Sequence, residues 1–198
     1  MKAQQNPNSI RTKYAADYGL ILGLYLAFFY LLQVLFKSST LIQVIGSLSS
    51  IGVLFLSYYL VKRYRDKGLG GYIRYWSAWS FGVWLYLFAG LIMSVAYFIH
   101  FQWIDPNYLS DTFNQSLVLL EQMNYPQETI DQLLENGIPN NIQMVVSFLF
   151  AYIVGGALLF LILAAIVRKK APDQWHTNAE DDYVPYADQK NTDSNEHE

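Results

Sequence analysis

The sequence predicts an all-α fold, a four-helix transmembrane bundle, and three observations carry that expectation. Residues 18–36, 38–61, 75–104 and 136–167 contain no Asp, Glu, Lys or Arg. About 20 apolar residues are enough for a helix to cross a bilayer. Charged residues are 15% and aromatics 17% of the 198-residue chain, against roughly 25% charged in soluble domains. The third observation is that basic residues fall almost entirely on one side of the four runs.

That asymmetry gives an orientation. Lys2, Arg11 and Lys13 precede the first run, Lys62, Arg63, Arg65, Lys67 and Arg74 follow the second, and Arg168, Lys169 and Lys170 follow the fourth. The opposite side has only Lys37, and residues 102–141 hold Asp105, Asp111, Glu121, Glu128, Asp131 and Glu135 without a Lys or Arg. Short basic loops stay cytoplasmic because insertion resists exporting positive charge. Both termini are therefore expected in the cytoplasm of a bacterium, in the cytoplasmic (inner) membrane. The formal net charge of −3 hides this polarity.

Taken in order, residues 1–170 form the membrane domain. The first dozen residues are polar and expected to fray. Span one covers about 14–36. It resembles a signal peptide only in its basic start; the run exceeds the roughly 7–15 residues of a signal core and ends at Phe36 and Lys37 without a small-residue cleavage site. It is expected to be retained. The link from Lys37 to Thr40 is so short that span two, about 41–61, must return antiparallel. Span three covers about 75–101 and span four about 142–167. Tyr14, Tyr18, Tyr59, Tyr75, Trp76 and Trp103 fall near span ends, where aromatic rings favour the headgroup level.

Small residues recur at four-residue spacing: Gly19, Gly23 and Ala27; Gly46 and Ser50; Ala78 and Gly82; Gly90 and Ser94; Ser147, Ala151 and Gly155. Such columns let helix backbones approach closely in lipid. Packing within one bundle is the plainer reading, and a homodimer seam the sharper one. Between spans two and three, Gly68, Gly70 and Gly71 make a flexible turn after a basic run. It is no phosphate-binding loop, since no Lys-Ser or Lys-Thr follows the last glycine and no strand precedes it.

The outer loop 102–141 is expected to fold as a short extracytoplasmic helical hairpin. Leu109, Phe113, Leu117 and Leu120 follow one helical stripe, and Ile130, Leu133 and Leu134 another. Pro126 opens the second helix and Gly137 stops it. Both stripes are expected to dock on each other and on the bundle mouth near Trp103. Glu128, Asp131 and Glu135 share the opposite face. Carboxylates attract hard cations, but a solvated acidic face is the simpler expectation. The tail, 171–198, is acidic and polar with no apolar period, so it is expected to be a disordered cytoplasmic segment.

The chain has no cysteine, which excludes a disulfide, a thiol catalyst and a cysteine-linked lipid anchor. No HExxH, GxSxG or paired-carboxylate arrangement occurs. His100, His176 and His197 are scattered, and His100, at the end of span three, needs no special role. No enzyme activity, cofactor or metal site is expected. The one ionisable residue worth weighing is Asp17, at the inner end of span one. Ionisable groups within membrane helices are functional candidates by default, but Lys13 lies one turn earlier and offers an interfacial ion pair.

Gly70-Gly71-Tyr72-Ile73, Trp103-Ile104-Asp105-Pro106, Glu128-Thr129-Ile130-Asp131 and Leu163-Ala164-Ala165-Ile166-Val167-Arg168-Lys169-Lys170 together resemble domain-of-unknown-function family 4199. This is a group of bacterial membrane proteins common in the Bacteroidetes. The resemblance runs from about Arg11 to Lys170. It implies a four-span cytoplasmic-membrane protein, and it implies no activity and no catalytic residues.

The function expected is that of a non-enzymatic structural, assembly or regulatory membrane partner. The alternative is a small oligomeric proton- or cation-coupled transporter using Asp17. The internal repeats and broken helices common in secondary transporters are absent from the sequence. The partners expected are the lipid bilayer and either a second copy of the chain or another membrane protein, with no nucleic acid.

Overall fold

A computed structural model describes residues 7–170; residues 1–6 and the expected acidic tail, 171–198, lie outside the described residues. The described chain is helical: α1 (Pro7–Leu35), α2 (Thr40–Gly68), α3 (Tyr75–Ile99), α4 (Tyr108–Gln122), α5 (Gln127–Asn136) and α6 (Asn141–Val167). Four helical segments are long and apolar enough to cross a membrane: Ile10–Leu35, Thr40–Gly68, Tyr75–Ile104 and Asn141–Val167. Away from their charged ends they expose large apolar side chains, among them Phe28, Phe55, Val95, Phe150 and Ile162, as a lipid-facing surface requires. The fold is that of a multi-pass membrane protein.

Two helices run further than the apolar pattern. α1 is already helical at Pro7, inside the stretch expected to fray. Proline suits a first helical position because its missing N–H would be unpaired there anyway. α2 continues through Lys62–Gly68. Lys and Arg are good helix formers, and Arg65 and Lys67 in the last turn complement the helix dipole. The helix then stops where the Gly71 N–H donates to the Arg65 carbonyl at 2.9 Å. Gly70 at φ 66° and Gly71 at φ 97° take the left-handed conformations this reversal needs. Ile73 and Lys169 exchange two backbone hydrogen bonds of 3.1 Å, tying this loop to the end of α6.

α3 is the centre of the bundle. It packs along α1 on one side and α6 on the other, while α2 lies mainly against α1. The α3–α6 seam is a reciprocal exchange. The Phe160 ring of α6 fills the space over Gly82 of α3, and the Tyr86 ring of α3 fills the space over Gly156 of α6. On the other side, Gly19 and Gly23 of α1 face Leu85, Phe88, Ala89 and Ile92 of α3; a Cβ on Gly23 would stand 2.8 Å from Ile92 Cβ. These columns therefore serve packing within the bundle. Ser147, Ala151 and Gly155 lie on the exposed face of α6, with nothing within 4 Å of the Gly155 Cβ position.

Some polar groups inside the spans find partners near by. Ser57 and Tyr86 hydroxyls meet at 3.0 Å, and Trp79 Nε1 donates to the Ala157 carbonyl at 3.0 Å. At the start of α6, the Gln143 N–H donates to Asn140 Oδ1 at 2.8 Å while the Asn140 N–H donates to Gln143 Oε1 at 3.0 Å. This reciprocal cap satisfies two end donors.

Between α3 and α6, α4 and α5 meet at a turn where Asn124 takes φ 52°. α5 follows Pro126 and ends at Gly137, whose φ is 69°. Leu109 and Ile130 are buried, as their stripes predict, but Leu133 and Leu134 are 36% and 53% exposed. Trp103 itself is 68% exposed. Two helices of 15 and 10 residues offer too little core to bury every apolar position.

Candidate functional site

At the end of the bundle that carries α4 and α5, α3 passes into a π-helical turn, His100–Ile104. The Asp105 N–H closes it by donating to the His100 carbonyl at 2.9 Å. Such turns are rare and concentrate at functional sites. Here the turn places two successive side chains inside: His100 and Phe101 are each 1% exposed, while Gln102, Trp103 and Ile104 face outward.

His100 Nδ1 is hydrogen-bonded to the Tyr30 hydroxyl of α1. Its Nε2 is buried without a partner among the described residues. Whichever tautomer is present, one nitrogen retains an unused donor or acceptor. Aromatic rings enclose the imidazole: Tyr108 lies 4.7 Å away, Phe101 5.3 Å and Tyr30 5.6 Å, centroid to centroid. Tyr97 continues the cluster, 4.6 Å from Tyr30 and 4.7 Å from Phe148 of α6. α1, the π-helical turn and α4 therefore converge on one histidine, and α6 joins the surrounding ring cluster through Phe148.

Directly outside stands an ion pair. Lys37 Nζ, from the α1–α2 turn, donates to Asp105 Oδ2 at 2.6 Å. The same ammonium lies 5.8 Å above the Tyr108 ring. The hydrogen bond from Lys37, aided by its charge, holds the Asp105 carboxyl below its ordinary range against a smaller opposing effect of burial. The arrangement holds two turns and the foot of α4 together, and it leaves one buried nitrogen able to take a further hydrogen bond.

Sequence reasoning gave His100 no role. The available signal was indirect: Lys37 is the one basic residue at this end, and Asp105 is the first carboxylate after span three. Two lone charges at neighbouring helix ends are natural partners, and His100 lies between them. Asp17 sits elsewhere. It is exposed on α1, roughly 20 Å from Tyr30 at about 1.5 Å of rise per residue. Among the described residues no ion pair joins it to Lys13. Glu128, Asp131 and Glu135 are exposed on α5, and the Asp131 carboxylate accepts from Gln127 Nε2 at 3.2 Å. Among the described residues no three metal-ligating side chains converge.

Comparison with known proteins gives a family match. The family described as protein of unknown function (DUF4199) matches residues 17–169. The chain belongs to that family. No curated protein and no solved structure matches it. The DUF4199 match takes in most of the first span, all of the other three, α4 and α5, and the Lys37, His100 and Asp105 cluster, and it ends at the residue that bridges to Ile73.

Proposed function

We propose that this DUF4199 protein is a non-enzymatic protein of the bacterial cytoplasmic membrane, with both termini in the cytoplasm. It acts as a structural, assembly or regulatory partner through α4 and α5. One observation carries this reading: outside the spans, Val118, Leu119, Met123 and Leu134 are 51%, 56%, 62% and 53% exposed. Grouped apolar side chains outside a membrane mark interaction surfaces. Exposed Glu121 and Glu135 flank them, with no basic residue in the segment, so the favoured partner surface is apolar and bordered by Lys or Arg. Lys37, Asp105, Tyr108 and His100 fix the foot of this pair to the bundle.

Photo-crosslinking in living cells tests the proposal. A crosslinking residue at Leu119 or Leu134 is expected to give a discrete adduct with one other membrane or extracytoplasmic protein. The same residue at exposed Asn114 gives none. Equal, diffuse labelling from all three positions would remove the basis for a partner surface.

A further inference from the structure

Five residues at the basic end of α2 form one face: Tyr59, Lys62, Arg63, Asp66 and Lys67, at intervals of three and four. They line a shallow, open surface cleft of about 300 Å³ on this one helix. Because α2 stays helical to Gly68, these cations are carried on a rigid element. Arg63 is braced by donating to the Tyr59 hydroxyl at 3.3 Å. Asp66, the one carboxylate in the cleft, accepts from Arg65 at 2.8 Å. Among the described residues no carboxylate forms an ion pair with Lys62, Arg63 or Lys67.

Two ordinary explanations account for part of this. Cations in the last turn of a helix complement its dipole, but that effect fades within one turn, and Lys62 and Arg63 lie further back. A basic bias sets membrane orientation, but orientation requires only a count of charges on one side. It does not require them to share a face with a tyrosine. Along the same face toward the middle of the span, Phe55, Ile51 and Leu48 are 71%, 53% and 59% exposed. Three cations therefore stand at the head of an open apolar stripe on one helix.

We infer that this cleft binds the phosphate of an anionic phospholipid in the adjoining leaflet, with Lys62, Arg63 and Lys67 on the phosphate and the acyl chains along Phe55, Ile51 and Leu48. Juxtamembrane basic residues attract anionic lipid individually; grouping on one braced face adds retention of a single molecule. The apolar stripe distinguishes a lipid from free phosphate, which would gain nothing from it. The inference uses the membrane fold and is independent of any partner of α4 and α5.

Native mass spectrometry of the full-length protein in detergent tests it, with phosphatidylglycerol, phosphatidylcholine of the same chains, or inorganic phosphate added. One phosphatidylglycerol is expected to stay bound at a concentration at least about tenfold below that needed for phosphatidylcholine, which carries a compensating cation. Changing Lys62, Arg63 and Lys67 together to Gln should weaken phosphatidylglycerol retention about tenfold or more. Arg168→Gln with Lys170→Gln, outside the cleft, should leave it unchanged. Asp66→Asn should strengthen retention severalfold, and this variant carries the test if the triple variant does not fold. Equal retention of the two lipids, or full retention by a folded triple variant, overturns the inference. So does a failure of Asp66→Asn to strengthen binding. Displacement of the lipid by millimolar inorganic phosphate would assign the cleft to soluble phosphate and overturn the lipid assignment.

Discussion

Lys37 and Asp105 are 68 positions apart in the chain and 2.6 Å apart in space. Their pairing joins the α1–α2 turn to the foot of α4. The side chains are 54% and 27% exposed, so solvent screening limits the pair to under about 1 kcal/mol.

The sign of its pH dependence follows from the depressed Asp105 pKa. A carboxyl whose folded pKa lies below its unfolded value adds stability above the unfolded value, about 3.9. That stability is lost as pH falls through the folded value. Asp105→Asn should therefore unfold at lower temperature than wild type at pH 7, with the gap closing toward about pH 3. A gap that is constant or grows as pH falls would show that the carboxylate is not held by Lys37.

Tyr30→Phe removes the hydroxyl bonded to His100 Nδ1 and leaves a buried imidazole with neither nitrogen paired. A cost of about 1–3 kcal/mol is expected. His100→Phe keeps the aromatic contacts and removes the polar atoms, so the double variant should recover much of the loss of Tyr30→Phe. A double-mutant cycle by thermal or denaturant unfolding in detergent reads this coupling. Additive losses would mean the two residues do not interact.

The glycines of the bundle should differ sharply. Alanine at Gly82 places a Cβ into the Phe160 ring, and overpacking of this kind costs about 1–3 kcal/mol. Alanine at Gly155, with nothing within 4 Å, should be neutral or stabilise by up to about 1 kcal/mol, because alanine is the better helix former. Unfolding of the two variants side by side measures the difference, and equal stability would contradict the α3–α6 seam.

Topology is open to direct measurement. Reporter fusions after Arg74 and after Lys170 should report cytoplasm, and one at Gln122 the opposite side, because Lys37 is the one basic residue near that end. A cytoplasmic signal at Gln122 would reverse the orientation and place α4 and α5 in the cell interior.

The spans were legible because crossing hydrocarbon demands a long charge-free run, and four such runs are present. Where α2 ends was not, since hydropathy stops at Val61 while the helix continues through residues whose backbone preference is equally helical. The small-residue columns showed that close approaches exist but not which partners fill them: Phe160 over Gly82 and Tyr86 over Gly156 arise only when α3 and α6 meet. The stripe of α5 was readable as a pattern, yet among the described residues no surface covers Leu133 and Leu134. His100 was invisible for a related reason. Its partner Tyr30 lies 70 positions away, and no local spacing announces such a contact. Asp17 drew attention because a carboxylate beside a span is locally conspicuous; the converging polar groups lie at the other end of α1.

The central place of α3 also bears on how the protein is made. Helices leave the ribosome in chain order, and α1 and α2 emerge first with only each other to pack against. The closest surface of α1, at Gly19 and Gly23, is shaped for α3. Until Tyr75 and the residues after it have inserted, that surface faces lipid or whatever insertion factor accompanies the nascent hairpin. Synthesis halted before α3 would thus leave a membrane-inserted fragment with its best packing face open, a ready target for membrane proteases.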